Sequence, residues 1–196
     1  TFFIPNVCDK SIDVLENYKF FNLNFDVFFA LSHGQHRGVM KKGHIDERSL
    51  FIIKLKIENI KTNFFGINKS PIWGNEFFYQ LSKTKMGINF NRGKALKYYS
   101  SDRISLLLAN GLLTFLQNGY SYENFFDDKK DAIYFNSPEE LSDKIKYYSK
   151  NDKERCEIGF NGKSKYFNLF ENTLVTKYMV EIILDLKISK KQTWMN

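Results

Sequence analysis

The stretch Met86 to Phe115, MGINFNRGKALKYYSSDRISLLLANGLLTF, decides the fold. A short apolar run carrying Met86, Ile88 and Phe90 ends in Asn91-Arg92-Gly93-Lys94. A polar segment then passes through Ser100-Ser101-Asp102-Arg103 into an apolar helix that stops at Asn110-Gly111, before a second strand, Leu112 to Leu116. Ile104, Leu107, Leu108 and Gly111 recur at the i, i+3, i+4, i+7 spacing of a buried helix face, with Ser100 or Ser101 expected as its N-cap. Strand, basic loop, helix, strand is the unit of an open α/β sheet. Free N–H groups and the dipole at a helix start favour anions. Cations and serines gathered just beyond a strand therefore predict a diphosphate site.

The rest of the chain repeats the unit. Asn24 to Leu31 (NFDVFFAL) has the bulky apolar character of a strand buried on both faces, and the loop Ser32 to Gly38 follows it. A helix is predicted from Asp46 to Leu55, a strand from Thr62 to Gly66, and a helix from Asn75 to Lys83 with Phe77, Phe78 and Leu81 inward. After the strand Ala132 to Phe135, Ser137-Pro138-Glu139-Glu140 combines a capping box with a proline at the first helical position. The helix it starts buries Leu141, Ile145 and Tyr148. A glycine-interrupted helix, Asn151 to Phe167, precedes a last one, Asn172 to Leu186, with Leu174, Tyr178, Ile182, Ile183 and Leu186 along one stripe. The pattern predicts an α/β, Rossmann-like parallel sheet flanked by helices on both faces.

With 196 residues, 43% of them hydrophobic, the chain suits one well-cored domain. Charges break every apolar stretch before the roughly 18 residues of a membrane span, and no signal-peptide pattern opens the chain. These features lead us to expect a cytoplasmic protein without a transmembrane segment. Cys8 and Cys156 lie outside any metal-ligand or disulfide-framework spacing. The net charge of +7 is concentrated usefully. His33, His36, Arg37, Lys41 and Lys42 follow one predicted strand, and Arg92, Lys94 and Lys97 another. Two basic loops at strand ends suit a diphosphate better than a duplex, which needs an extended basic stripe, so no nucleic-acid partner is expected.

The register of Arg103, Ala109-Asn110-Gly111, the strand Leu112 to Phe115, Phe125-Phe126, Ile133-Tyr134-Phe135 and Ser137-Pro138-Glu139-Glu140-Leu141 resembles the C-terminal, nucleotide-sugar-binding half of GT-B glycosyltransferases. It is most similar to the CgeB-like, group 1 variety. Arg155, Gly159, Gly162 and Phe170 fall where that family has a later arginine and glycine segment, so the likeness covers about Asp26 to Leu186. The opening Thr1-Phe2-Phe3-Ile4-Pro5-Asn6 resembles the strand and turn that join the two halves. The resemblance implies transfer of a sugar from a nucleotide-diphosphate sugar to an acceptor, with no metal or other cofactor. It also implies an acceptor-binding N-terminal domain missing from this chain. On that reading residues 1–23 are a hinge segment, 24–170 the donor-binding domain and 171–196 a C-terminal helix and tail. One departure stands out: three residues after Arg103 the chain has Leu106, where many relatives carry a glutamate that contacts the donor's ribose or sugar.

Two loops then become candidate donor contacts. In the first, Gly34 and Gly38 let backbone approach the phosphates, Arg37 can donate two hydrogen bonds to phosphate oxygens, and His36 can add one. An ordinary glycine-turned surface loop is the plainer alternative. A His-x-x-His zinc site is disfavoured by the missing third ligand and the cationic surroundings. In the second loop Asn91, Arg92, Lys94, Ser100, Ser101 and Arg103 converge before a helix, although the serines and Asp102 could serve only as caps. Trp73, Tyr98, Tyr99 and Asp102 are candidate base or sugar contacts, against the simpler reading that so many aromatics are packing. No residue pair identifies a catalytic base. A non-catalytic nucleotide-binding or regulatory module and an RNA-binding α/β domain are the rival readings.

Overall fold

The computed structural model describes residues 3–32, 47–92, 94–99 and 101–195. Among the described residues five strands form one sheet: β1 (Phe25–Ala30), β2 (Thr62–Phe65), β3 (Thr84–Asn89), β4 (Leu113–Gln117) and β5 (Ile133–Phe135). Their order is β2-β1-β3-β4-β5 and every pairing is parallel. Among the described residues six α-helices accompany them: α1 (Glu47–Ile53), α2 (Gly74–Ser82), α3 (Arg103–Leu108), α4 (Pro138–Lys150), α5 (Asp152–Phe170) and α6 (Asn172–Ile183). This is the predicted α/β class. The chain steps one way from β1 to β2 and the other way from β1 to β3, which makes the β1/β3 boundary the topological switch point.

Alternation along the strands divides the core. Val27, Phe29, Met86, Ile88, Phe115, Ile133 and Phe135 meet Ile52, Leu141, Ile145 and Tyr148 of α1 and α4 on one face. Phe28 and Ala30 meet Leu81 of α2 and Leu107 of α3 on the other. A third, aromatic-rich cluster joins Ile104, Leu108, Tyr122, Phe126, Tyr166, Phe170, Tyr178 and Trp194. Gly87 of β3 makes room for this packing: a Cβ there would stand 2.3 Å from a methyl of Leu107, whose side chain would have to shift.

Helix starts follow the sequence signals in one case and depart from them in another. The Ser137 hydroxyl accepts from the Glu140 N–H at 3.2 Å, while Glu140 returns to accept the Asn136 N–H at 2.8 Å, so the predicted box is formed one residue displaced. At α3 the cap expected of Ser101 is absent. Asp102 occupies the N-cap position in helical geometry without capping through its side chain, and Ser101 offers its backbone carbonyl to Ile104 N instead.

The two glycines of α5 do not interrupt it. They let it approach: a Cβ on Gly159 would lie 2.7 Å from the Gly111 carbonyl oxygen, and one on Gly162 would lie 2.4 Å from that of Asp131. Segments outside the strands are stitched onto the same body. Cys8 N donates to Phe170 O, Asn172 N donates to Cys8 O, and Asn17 Nδ2 donates to Leu81 O and Thr84 O at 2.8 and 2.7 Å. Burial pushes the Cys8 thiol up to about 12. Trp194 is buried and donates through Nε1 to Leu169 O. The stripe expected of α6 holds for Leu174, Tyr178 and Ile182, which pack on the aromatic cluster, and is corrected at Ile183 and Leu186, which are exposed where the helix ends; Val175 and Glu181 are buried beside it.

Gly162→Ala supplies the sharper test of this packing. Alanine gains about 1 kcal/mol of helix propensity, yet the clash with backbone should reverse the sign, for a net loss of about 1–3 kcal/mol in urea unfolding. Leu108→Ala should cost about 2–5 kcal/mol by the same measurement, as a cavity beneath α3.

Candidate functional site

At the switch point the carboxyl ends of β1 and β3 lie side by side, so the segments leaving them emerge at one edge of the sheet. Arg103 is the residue that joins these ends. Its Nη2 donates to Ala30 O at 3.1 Å and its Nη1 to Phe90 O at 3.2 Å, with the Ser101 hydroxyl at 3.4 Å. The guanidinium also lies 5.1 Å from the centroid of the Phe29 ring. Arg103 is 9% exposed and flanks a cleft of about 250 Å³ with Ala30, Ser32, Ile72, Trp73, Gly74, Phe77, Phe78, Asp102 and Leu106. The floor of that cleft is the end of β1. One wall is the loop after β2 and the start of α2, and the other is the start of α3.

The predicted contacts divide among several places. Trp73, Asp102 and Arg103 share the cleft, and Trp73 presents 63% of its surface. Asp102 is exposed, and its carboxylate has no hydrogen bond or ion pair among the described residues. Leu106 lines the cleft one turn further along α3, so the position where the resemblance implies a glutamate is an apolar part of the cleft wall. Arg92 and Lys94 are exposed just beyond the carboxyl end of β3. Gly34, His36, Arg37, Gly38 and Ser100 lie outside the described residues, as do His33, Lys41, Lys42 and His44.

Asn91 is placed otherwise than a phosphate contact. Its Nδ2 donates to Tyr99 O at 3.2 Å and to the Tyr122 hydroxyl at 2.9 Å, which ties down the loop after β3. Tyr122 Oη also donates to Tyr99 O. Tyr98 and Tyr99 are separated from Trp73 and line another cavity, behind α3. Tyr98 packs its ring on Phe125 at 4.6 Å and Phe3 at 5.2 Å. The reason is the Asn91 anchor, which folds residues 96–99 away from the cleft.

Sequence reading passed over Asn89 and Gln117, near the carboxyl ends of β3 and β4. Asn89 is fully buried with neither amide atom bonded, and Gln117 Oε1 is buried without a partner. Buried amides of this kind ordinarily find partners, and an asparagine inside the apolar run Met86 to Phe90 was the available signal. Among the described residues no group of three or more His, Cys, Asp and Glu side chains is placed to hold a metal ion. No described helix is long and apolar enough to cross a membrane.

A family profile described as glycosyl transferase-like matches residues 48–174. A search of curated proteins finds no match. Among solved structures, the chain is similar to Anabaena Alr3699/HepE in complex with UDP and glucose, with a TM-score of 0.52 and 11% identity over 66% of this chain and 33% of that one. It is also similar to a glycosyltransferase from Rickettsia africae ESF-5, with a TM-score of 0.55 and 16% identity over 93% of this chain and 45% of that one. Sucrose-phosphate synthase (tll1590) from Thermosynechococcus elongatus gives 0.50 and 12% over 64% and 30%. At such identities the likeness is one of fold. The chain spans less than half the length of each of these three solved proteins.

The geometry changes what is expected of Arg103. As a cleft contact alone it would matter to ligand more than to folding, but a buried guanidinium holding two strand-end carbonyls carries stability as well. Arg103→Ala should lower unfolding free energy by about 1.5–3 kcal/mol, the range for hydrogen bonds from charged groups. Arg103→Lys should recover only part, since an ammonium lacks the planar fork that reaches both carbonyls. Urea titration of the three proteins checks both statements.

Proposed function

The chain belongs to the glycosyl transferase-like family matched over residues 48–174, and from that premise we propose that it is the donor-binding half of a GT-B glycosyltransferase. It holds a nucleotide-diphosphate sugar whose sugar passes to an acceptor. The observation that carries this reading is the cleft at the β1/β3 switch point, where Trp73, Asp102 and Arg103 meet, with the exposed cations Arg92 and Lys94 on the segment that leaves β3. In open α/β sheets ligands bind at this place. A UDP-sugar is the first donor to test, by analogy with the Anabaena protein crystallised with UDP and glucose.

In this mechanism the indole of Trp73 gives the nucleobase a flat apolar face, and Asp102 accepts hydrogen bonds from donor hydroxyls. Arg92 and Lys94, with Arg37 of the sequence that follows β1, neutralise the diphosphate as it departs with the electron pair of the broken glycosidic bond. Charge on the leaving group is met by side chains, so the reading calls for no metal. The acceptor and its binding domain belong to a further part of the protein, a reading supported by the 45% share of the Rickettsia chain that this one spans. Leu106 favours a second reading, a non-catalytic nucleotide-binding module, because an apolar residue occupies a cleft position suited to a hydrogen-bonding side chain.

UDP should raise the melting temperature in a thermal-shift series that includes UDP-glucose, GDP and a short RNA oligomer. Arg92→Ala should weaken nucleoside-diphosphate binding by about 1.5–3 kcal/mol in calorimetry, and Trp73→Ala should weaken it without changing the melting temperature of the unliganded chain. No response to any nucleoside diphosphate would remove the donor reading. A response to UDP, with no UDP-glucose turnover when the rest of the protein is supplied, would favour the non-catalytic one.

A further inference from the structure

Behind α3 lies a second cavity, of about 350 Å³. We propose that it is a separate binding site for a flat aromatic group carrying an anionic substituent. One helix divides the two cavities: Ile104 lines this one, while Asp102, Arg103 and Leu106 line the donor cleft. The proposal does not depend on what the donor cleft binds.

The walls are rings. Phe3 stacks on Phe125 with centroids 6.3 Å apart and planes 12° from parallel, and Tyr98 leans on both. A mostly apolar cavity of this size with a few polar groups at its rim is what small-ligand sites look like. Engaged hydroxyls narrow the ligand class. Tyr166 Oη donates to Asn6 O at 2.7 Å, Tyr122 Oη donates to Tyr99 O, and Tyr98 Oη accepts from Asn124 Nδ2 at 3.0 Å. A bare sugar, whose many hydroxyls need partners, would be poorly served here. The face of an aromatic ring needs none.

Charge completes the argument. Lys97 stands exposed at the mouth, its Nζ 4.9 Å from the centroid of the Tyr98 ring, and no carboxylate among the described residues pairs with it. It is placed to meet an anion on a ring seated below. The loop that presents it is held in an unfavourable conformation: Tyr98 has φ 61°, in the left-handed region that bulky side chains avoid. Its N–H donates to Tyr120 O at 2.8 Å, which keeps the ring over the cavity. Backbone outliers of this kind gather at ligand sites.

The test uses 8-anilino-1-naphthalenesulfonate as the anionic probe and N-phenyl-1-naphthylamine as its neutral counterpart, both followed by fluorescence with and without saturating UDP. One molecule of each should bind per chain. Lys97→Gln should weaken the sulfonate by about fivefold or more and leave the neutral probe within about twofold. Tyr99→Ala removes a side chain 44% exposed, keeps the backbone carbonyl that Asn91 and Tyr122 use, and should weaken both probes. UDP and Trp73→Ala should leave both unchanged. Sulfonate binding that ignores Lys97→Gln, probes that ignore Tyr99→Ala, or displacement of the sulfonate by UDP would each overturn the proposal. Circular dichroism of each variant separates a lost site from a lost fold.

Discussion

The guanidinium of Arg103, shared between the carbonyls of Ala30 and Phe90, is the contact on which the carboxyl edge of this protein depends. At a switch point two neighbouring strands send their chains in opposite directions, so their last carbonyls lose the ladder partners that the interior of the sheet supplies. An unpaired buried carbonyl is costly. A planar group with several donors, set at the first residue of α3 and lying on the Phe29 ring, answers both carbonyls at once. The same contact locates the start of α3 relative to β1, and so sets the distance between Asp102 and Trp73 across the cleft. One side chain thus both ties the sheet edge together and lines the cleft.

Close backbone approach is the second organising device. Gly87 admits Leu107 against the sheet, while Gly159 and Gly162 bring α5 within contact of the turns at Gly111 and Asp131. The helix so placed gathers the segment before β1 as well. Lys163 of α5 donates to Leu15 O and Asp13 O, and the buried Arg155 donates to Phe20 O. Burial in this neighbourhood lowers the Lys163 ammonium and raises the Asp13 carboxyl, each toward its neutral form. Elements far apart in sequence therefore share one core with the helix that borders both cavities.

Different loops do different work at the carboxyl edge. The loop after β2 supplies Trp73 and meets α3 across the switch-point cleft, whereas the loop after β3 is drawn back by Asn91 and lines the aromatic cavity. The Asn91 amide, the Tyr122 hydroxyl and the Tyr98 N–H, which donates to Tyr120 O, together hold that loop there.

Much of this protein was legible in the chain alone. Strands such as NFDVFFAL and helices such as PEELSDKIKYY announce themselves, because burial on one or two faces imposes a period and capping leaves a signature that needs no partner elsewhere. The parallel α/β class follows from their alternation, and the family likeness from spacing around Arg103 and Gly111. What the chain could not display was which polar residues face a ligand and which face the protein. Asn91, Ser101 and Arg103 have the same side-chain chemistry in either role. Arg103 is claimed by the carbonyls of Ala30 and Phe90, of which Ala30 lies 73 residues away, Asn91 by that of Tyr99, and the Ser101 hydroxyl accepts from Arg103 itself. Only the tertiary structure brings those acceptors within hydrogen-bond distance. Local periodicity therefore determined the elements, and long-range pairing of buried polar groups decided the site.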